Sequence, residues 1–126
     1  MPGLADVGLV GLGGALGSIA RYLVGVALMA LLGPAFPWGT LAVNVAGSFA
    51  AGALVGTADV RGLATSTRLF AMTGFLGGFT TFSAFAAETV RLAEQQSAVS
   101  AGANVIANLA VGLGAAVLGL VVARGY

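Results

Sequence analysis

The chain contains no cysteine and no histidine. Without thiols it forms no disulfide and no thiolate metal site. With neither residue, and only two acids near the apolar segments, no nucleophile–base pair can be assembled, which argues against an enzyme. Charge is scarce too. Only 7% of the 126 residues are charged, against about 25% in a soluble domain. Five Arg stand against four acids, net +1, with no basic cluster. That pattern excludes nucleic acid as a partner. What remains is apolar: 59% of residues are hydrophobic and the mean hydropathy is +1.04. Such a chain cannot cover a globule with polar surface, so it reads as an integral protein of the cell membrane, in contact with the lipid bilayer.

Long charge-free runs support this. Residues 7–20 and 22–38 flank a lone Arg21, and 38–58, 69–87 and 95–123 carry no charge. A spanning helix needs about 20 apolar residues, so four spans are expected, at roughly 4–32, 38–58, 66–95 and 98–123. The connections "GPAFPW", "ADVRG" and "RLAEQQS" are short, leaving a single four-span domain and no room for a soluble one. Residues 1–32 lack the positive n-region of a secretory signal, and three more spans follow. Arg61, Arg68 and Arg124 fall on one side of the membrane and Arg91 on the other. A difference of two is a weak orientation signal. If both orientations are populated, two chains can pair antiparallel and form an inverted repeat from identical subunits.

In the first span Gly8, Gly11, Gly14 and Ser18 recur at three- and four-residue spacing, the pattern that lets helices approach closely in lipid. Arg21 lies about eleven residues, or roughly 16 Å, from the far end of that span. Its guanidinium stays charged. Two readings stand: snorkelling to an interface, or facing a water-filled vestibule that attracts anions. In the second span Thr40, Asn44 and Ser48 share one face. The Asn44 amide either bonds a neighbouring helix or lines a pore as a donor. Asn104, Asn108 and Gly112 repeat the four-residue stripe in the fourth span.

The third span carries "GFLGGFTTFSAF", from Gly74 to Phe85. Gly74, Gly77 and Gly78 each weaken a helix by about 1 kcal/mol relative to Ala. Thr80, Thr81 and Ser83 add hydroxyls that can satisfy freed backbone groups. A broken helix is expected near 76–81, with the glycines permitting the break. Broken helices at membrane depth are buried in protein or line a cavity, and a break frees carbonyl oxygens that suit a hard cation such as Na⁺. Phe82 and Phe85 then share a face, and the edge of an aromatic ring attracts an anion.

At these residues the chain resembles the Fluc/CrcB fluoride channel family. "GGALGSIARY", "GTLAVNVAGSFAAG" and "NVIANLAVGLG" in the other three spans extend the resemblance over nearly the whole chain. It implies an all-α membrane protein with four transmembrane helices per chain, the third broken, forming an antiparallel (dual-topology) homodimer with two fluoride pores. It implies a central structural Na⁺ on backbone carbonyls, matching Gly77 and Thr80. It matches the aromatic fluoride contacts to Phe82 and Phe85, the second-span asparagine to Asn44 and the vestibule arginine to Arg21. Ser83 belongs to the same string, and Asn104 and Asn108 match a fourth-span polar track. With Thr40 and Thr81 these complete the expected fluoride path. Gly112 offers no hydroxyl where some members have one, and Ala84 stands where a Thr often separates the two Phe.

The function implied is passive fluoride export. Fluoride enters as HF, ionises inside and is trapped. A potential of about −100 mV, inside negative, drives a unit anion out by roughly 2.3 kcal/mol. The alternative is a small four-span proton-coupled multidrug exporter. That reading needs a carboxylate deep in the first span, where Asp6 lies only at the start. Glu88 reads as an interfacial acid able to pair with Arg91, or else as a mark of the pore's end.

Overall fold

The computed structural model covers residues 1–126. The chain is all helical, and four helical segments are long and apolar enough to cross a membrane. The first is α1 (Leu4–Leu32) and the second α2 (Trp38–Arg61). The third begins with α3 (Thr65–Thr67), widens into a π-helical stretch (Arg68–Leu76), returns to α in α4 (Gly77–Phe79), stops, and resumes as α5 (Phe82–Gln95). The fourth comprises α6 (Ala98–Ile106), a second π-helical stretch (Ala107–Val111) and α7 (Gly112–Arg124). Gly33 and Gly62 end the first two helices at φ 81° and 74°, a region open to glycine at no steric cost.

The chain by itself has little interior. Only 15 of its 126 residues are buried, and eight of those are glycines. Membrane helices gain nothing from hiding leucine from lipid, so backbone proximity replaces side-chain burial. Two crossings show this. α1 meets the first half of the third span at Gly13 and Gly17, where a Cβ would overlap the backbone of Phe70 and Phe75. α2 meets α7 at Gly52 and Gly119, where a Cβ would overlap the carbonyls of Ala116 and Phe49. At the end of this second pair, Arg124 Nε donates to exposed Asp59 Oδ2 at 3.2 Å. α5 packs on α6.

The break does not fall where glycine conformational freedom would place it. Gly77 is helical at φ −60° and ψ −36°, and no glycine in the third span has a positive φ. The residues that leave the helix are Thr80 (φ −84°, ψ 155°) and Thr81 (φ −152°, ψ 113°), both in extended conformations open to any residue. Gly74 and Gly78 serve close approach instead. A Cβ on Gly74 would press on the Val10 carbonyl, and one on Gly78 on the Gly14 carbonyl and the Ser18 hydroxyl. The glycines position the half-helix against α1, and something else interrupts it.

Candidate functional site

That agent is Asn44. Its Oδ1 accepts the Thr81 N–H at 2.8 Å, and its Nδ2 donates to the Thr81 carbonyl at 3.2 Å. One carboxamide thus pairs with both polar groups of a single extended residue, as a neighbouring strand would. In a continuous helix the Thr81 N–H would return to the Gly77 carbonyl. Gly47, on the next turn of α2, leaves the space that the Thr80 methyl fills. Thr80 keeps its own N–H (3.0 Å) and hydroxyl (2.8 Å) on the Leu76 carbonyl. α5 then restarts with Thr81 as its N-cap, whose Oγ1 accepts the Ala84 N–H at 3.1 Å. A threonine at that position satisfies a free amide of the new helix. Ser83 is exposed, its hydroxyl 3.4 Å from that of Thr81.

The polar stripes of the second and fourth spans meet. Asn44 Nδ2 also donates to Asn108 Oδ1 at 2.9 Å. Asn108 Nδ2 donates to Asn104 O at 2.9 Å and Asn104 Oδ1 at 3.0 Å. Asn104 Nδ2 donates to Thr89 Oγ1 at 2.9 Å, and Thr89 Oγ1 donates to the Phe85 carbonyl at 2.7 Å. The π-helical stretch Ala107–Val111, in which backbone bonds reach one residue further back, contains Asn108. Asn104 is fully buried and Asn108 nearly so. The interhelical bond offered as one reading of Asn44 is therefore present. Both hydrogens of its amide are committed, one to Thr81 and one to Asn108. Thr89 is the member that sequence reading missed. Its signal was the four-residue step from Phe85, the spacing at which threonine bonds back to its own helix.

Two cavities flank the break. One of about 490 Å³ is a groove along Gly77, Thr80, Thr81, Phe82, Asn44 and Asn108, with Phe85 at its wall. Phe82 and Phe85 lie 5.4 Å apart between ring centroids and are tilted by 60°. Phe85 is 7% exposed and Phe82 75% exposed, so one ring is held by this chain and the other stands open. Phe75 and Phe79 form a separate stacked pair at 5.5 Å.

The second cavity, about 570 Å³, is lined by Arg21, Tyr22, Trp38, Thr40, Ala84 and Glu88 among others. Arg21 lines this cavity. Its Nε donates to the Gly78 carbonyl at 3.0 Å, a cation on the last turn of a half-helix, where carbonyl dipoles favour positive charge. Thr40 Oγ1 donates to Glu88 Oε1 at 2.9 Å, and Glu88 Oε2 is buried without a partner. Glu88 is thus held by Thr40, with no ion pair to Arg91 within 4.0 Å. Thr40 and Asn44, on one face of α2, therefore serve different cavities. The structure brings Asn44, Thr81, Phe82, Phe85, Asn108, Gly77 and Thr80 together, sets Arg21 and Thr40 on the other side, and buries Asn104 behind.

A four-span, multi-pass membrane protein with an interrupted third helix and largely apolar clefts carrying a few polar groups beside the interruption is the class these features define. In a bacterium its place is the plasma membrane. The family model described as CrcB-like protein, Camphor Resistance (CrcB), matches residues 8–120, and the chain belongs to that family. A protein named fluoride-specific ion channel FluC from Rhizobium etli is 49% identical over 117 residues, covering 92% of this chain and 94% of its own. One of the same name from Agrobacterium fabrum is 47% identical over 122 residues, covering 96% and 98%. The fluoride-specific ion channel FluC 1 of Nitrobacter hamburgensis is 43% identical over 116 residues. Relatives of this kind are channels, and the chain is not an enzyme. The exporter reading finds no support: Asp6 accepts the Gly3 N–H at 2.9 Å at the mouth of α1, and no acid lies deeper in that helix.

Proposed function

We propose that the chain is a fluoride-selective passive channel that lets cytoplasmic fluoride leave down its electrochemical gradient. It works as an antiparallel homodimer with two pores and a sodium ion between the subunits. The observation that carries this reading is the Phe82–Phe85 pair beside a helix break clamped by Asn44, in a chain nearly half identical to proteins named as fluoride channels.

The chemistry follows from the groups present. Arg21 faces a cavity and draws anions toward the membrane interior. Ring edges carry the positive part of the aromatic quadrupole, so Phe82 and Phe85 meet fluoride edge-on in place of part of its water. The hydroxyls of Thr81 and Ser83 supply donors beside the Phe pair, and Thr40, its hydrogen on Glu88, lines the Arg21 cavity that leads there. Asn44, Asn104 and Asn108 shape the path from behind. No cationic side chain lines the groove beside the Phe pair to trap the ion, and conduction needs sites weak enough to leave. Chloride, larger and easier to dehydrate, gains less from a narrow path of weak donors.

Sodium fits the residues present. The amides that would pair with the Gly77 and Thr80 carbonyls in an unbroken helix, those of Thr81 and Ala84, donate instead to Asn44 Oδ1 and Thr81 Oγ1. Both residues line the open groove, and hard oxygen donors suit an alkali cation. The ion would hold two such breaks together and relieve carbonyls otherwise unsatisfied on closing the dimer. The same groove and the open Phe82 ring supply a face for the second subunit.

The test is fluoride efflux from proteoliposomes, read by a fluoride electrode against a chloride control. Potential-driven fluoride release without proton coupling and without matching chloride loss is expected. Equal fluoride and chloride fluxes, or none above empty liposomes, overturn the reading.

A further inference from the structure

Thr40, Asn44 and Ser48 occupy three successive turns of α2, and each turn meets a different surrounding. Thr40 gives its hydrogen to Glu88 in the Arg21 cavity. Asn44 is committed to Thr81 and Asn108. Ser48 is partly buried and lines the groove beyond the clamp, one turn or about 6 Å further along the helix axis. The polar side chains along that groove are Asn44, Ser48, Thr80, Thr81 and Asn108. Four of them are engaged within the chain. Ser48 alone makes no hydrogen bond.

Other helical hydroxyls are spent on their own helix. Thr57, Thr80 and Thr89 donate to the carbonyl four residues back, at 2.8, 2.8 and 2.7 Å. Ser48 has the Asn44 carbonyl at the same spacing and does not bond to it. Its hydroxyl is also left uncovered from the fourth span. A Cβ on Gly112 would lie 3.7 Å from Ser48 Oγ and would meet nothing else within 4 Å. The groove around it is apolar, walled by Ala51, Met72, Leu76, Leu113 and Ala116.

We infer that Ser48 is an anion donor: its hydroxyl, opposite Gly112, hydrogen-bonds the permeating ion in the part of the groove beyond the helix break. That this ion is fluoride rests on the channel reading. An anion that leaves the Phe pair in this direction meets methyl and methylene groups, and a charge stripped of water there needs a partner. The Ser48 hydrogen is free to turn toward it, because no acceptor in the chain claims it. The smaller halide comes closer to a hydroxyl and is held more strongly than chloride. One neutral donor is still weak enough for the ion to leave.

Ser48→Ala removes the hydroxyl without breaking a bond inside the chain, so its melting temperature in detergent should match the wild type. In planar bilayers its single-channel fluoride conductance should fall about tenfold, the scale of one hydrogen bond to a charged group. The fluoride-over-chloride permeability ratio should fall with it. Adding Gly112→Ser to Ser48→Ala returns a hydroxyl to the same part of the groove from the facing helix, and most of the conductance should return. Wild-type conductance and ratio in Ser48→Ala overturn the inference, because the serine is then only a small residue beside Gly112. A lowered melting temperature with unchanged conductance per channel also overturns it, and marks a contact between helices or subunits. A wild type that passes no fluoride defeats the channel reading, and the ¹⁹F line of sodium fluoride mixed with the protein then decides on Ser48. Broadening by the wild type that Ser48→Ala reduces supports the donor. Equal broadening by both proteins, or none by either, overturns it.

Discussion

α2 is held against the fourth span in two ways along its length. In its second half Gly52 meets Ala116, and Gly119 of α7 meets Phe49, backbone against backbone, with a polar contact only at the exposed end, where Arg124 meets Asp59. In its first half Asn44 reaches Asn108 through a hydrogen bond, and Val43 beside it is fully buried. The first arrangement tolerates no added atom but has no direction. The second is directional, because every amide must face the correct way. Close packing therefore sets the distance between the helices, and hydrogen bonding sets the shape of the interruption in the third span. A membrane protein needs both because lipid provides neither a hydrophobic force between helices nor partners for stray amides.

The comparison can be broken most severely on its packed side. Gly52→Val drives a branched side chain into the Ala116 carbonyl. Overpacking of this kind costs about 3 kcal/mol or more, so little monodisperse protein is expected on size exclusion in detergent. Normal yield and thermal stability would show that α2 and α7 do not cross there. On the directional side, Asn44→Leu keeps the branched shape of the side chain and removes the clamp. It leaves the Thr81 N–H and Asn108 Oδ1 unpaired, at about 1–3 kcal/mol each. The variant is expected to insert with a lowered melting temperature, while fluoride release from proteoliposomes falls to background. Undiminished release would remove Asn44 from the site. Arg21→Gln gives a smaller effect. The chain folds, because a glutamine amide can still donate to the Gly78 carbonyl. Fluoride flux slows and loses most of its sensitivity to ionic strength, as expected when a steering charge is removed. Unchanged salt dependence would mean that Arg21 attracts no anion. The smallest effect sharpens the contrast. Gly114→Ala places a methyl where nothing lies within 4 Å. A change within about 1 kcal/mol, toward stability, follows from helix propensity alone, readable as a slightly raised melting temperature.

Much of this was legible in the residues. The four apolar segments, the stripe of Thr40 and Asn44, the pair Asn104 and Asn108, and the crowding of glycine and hydroxyls from Gly74 to Ser83 all stand out by spacing. The cause of the break was not legible. Glycine is the ordinary suspect where a helix fails, yet Gly77 and Gly78 remain helical while Thr80 and Thr81 do not. The reason lies 37 residues away in sequence, in the bond from Thr81 to Asn44. Thr89 escaped for a similar reason. An isolated threonine on a helix says nothing until Asn104 is found opposite it.

Composition and periodicity alone determined that this chain lives in a membrane, how many times it crosses and which faces of its helices carry amides, since these depend only on local hydropathy and helical repeat. Tertiary structure decided which glycines touch backbone, which threonines leave the helix and which way three carboxamides point. Those outcomes depend on the partner across each contact. An amide has no preferred direction, and a glycine no preferred neighbour, until another helix supplies one.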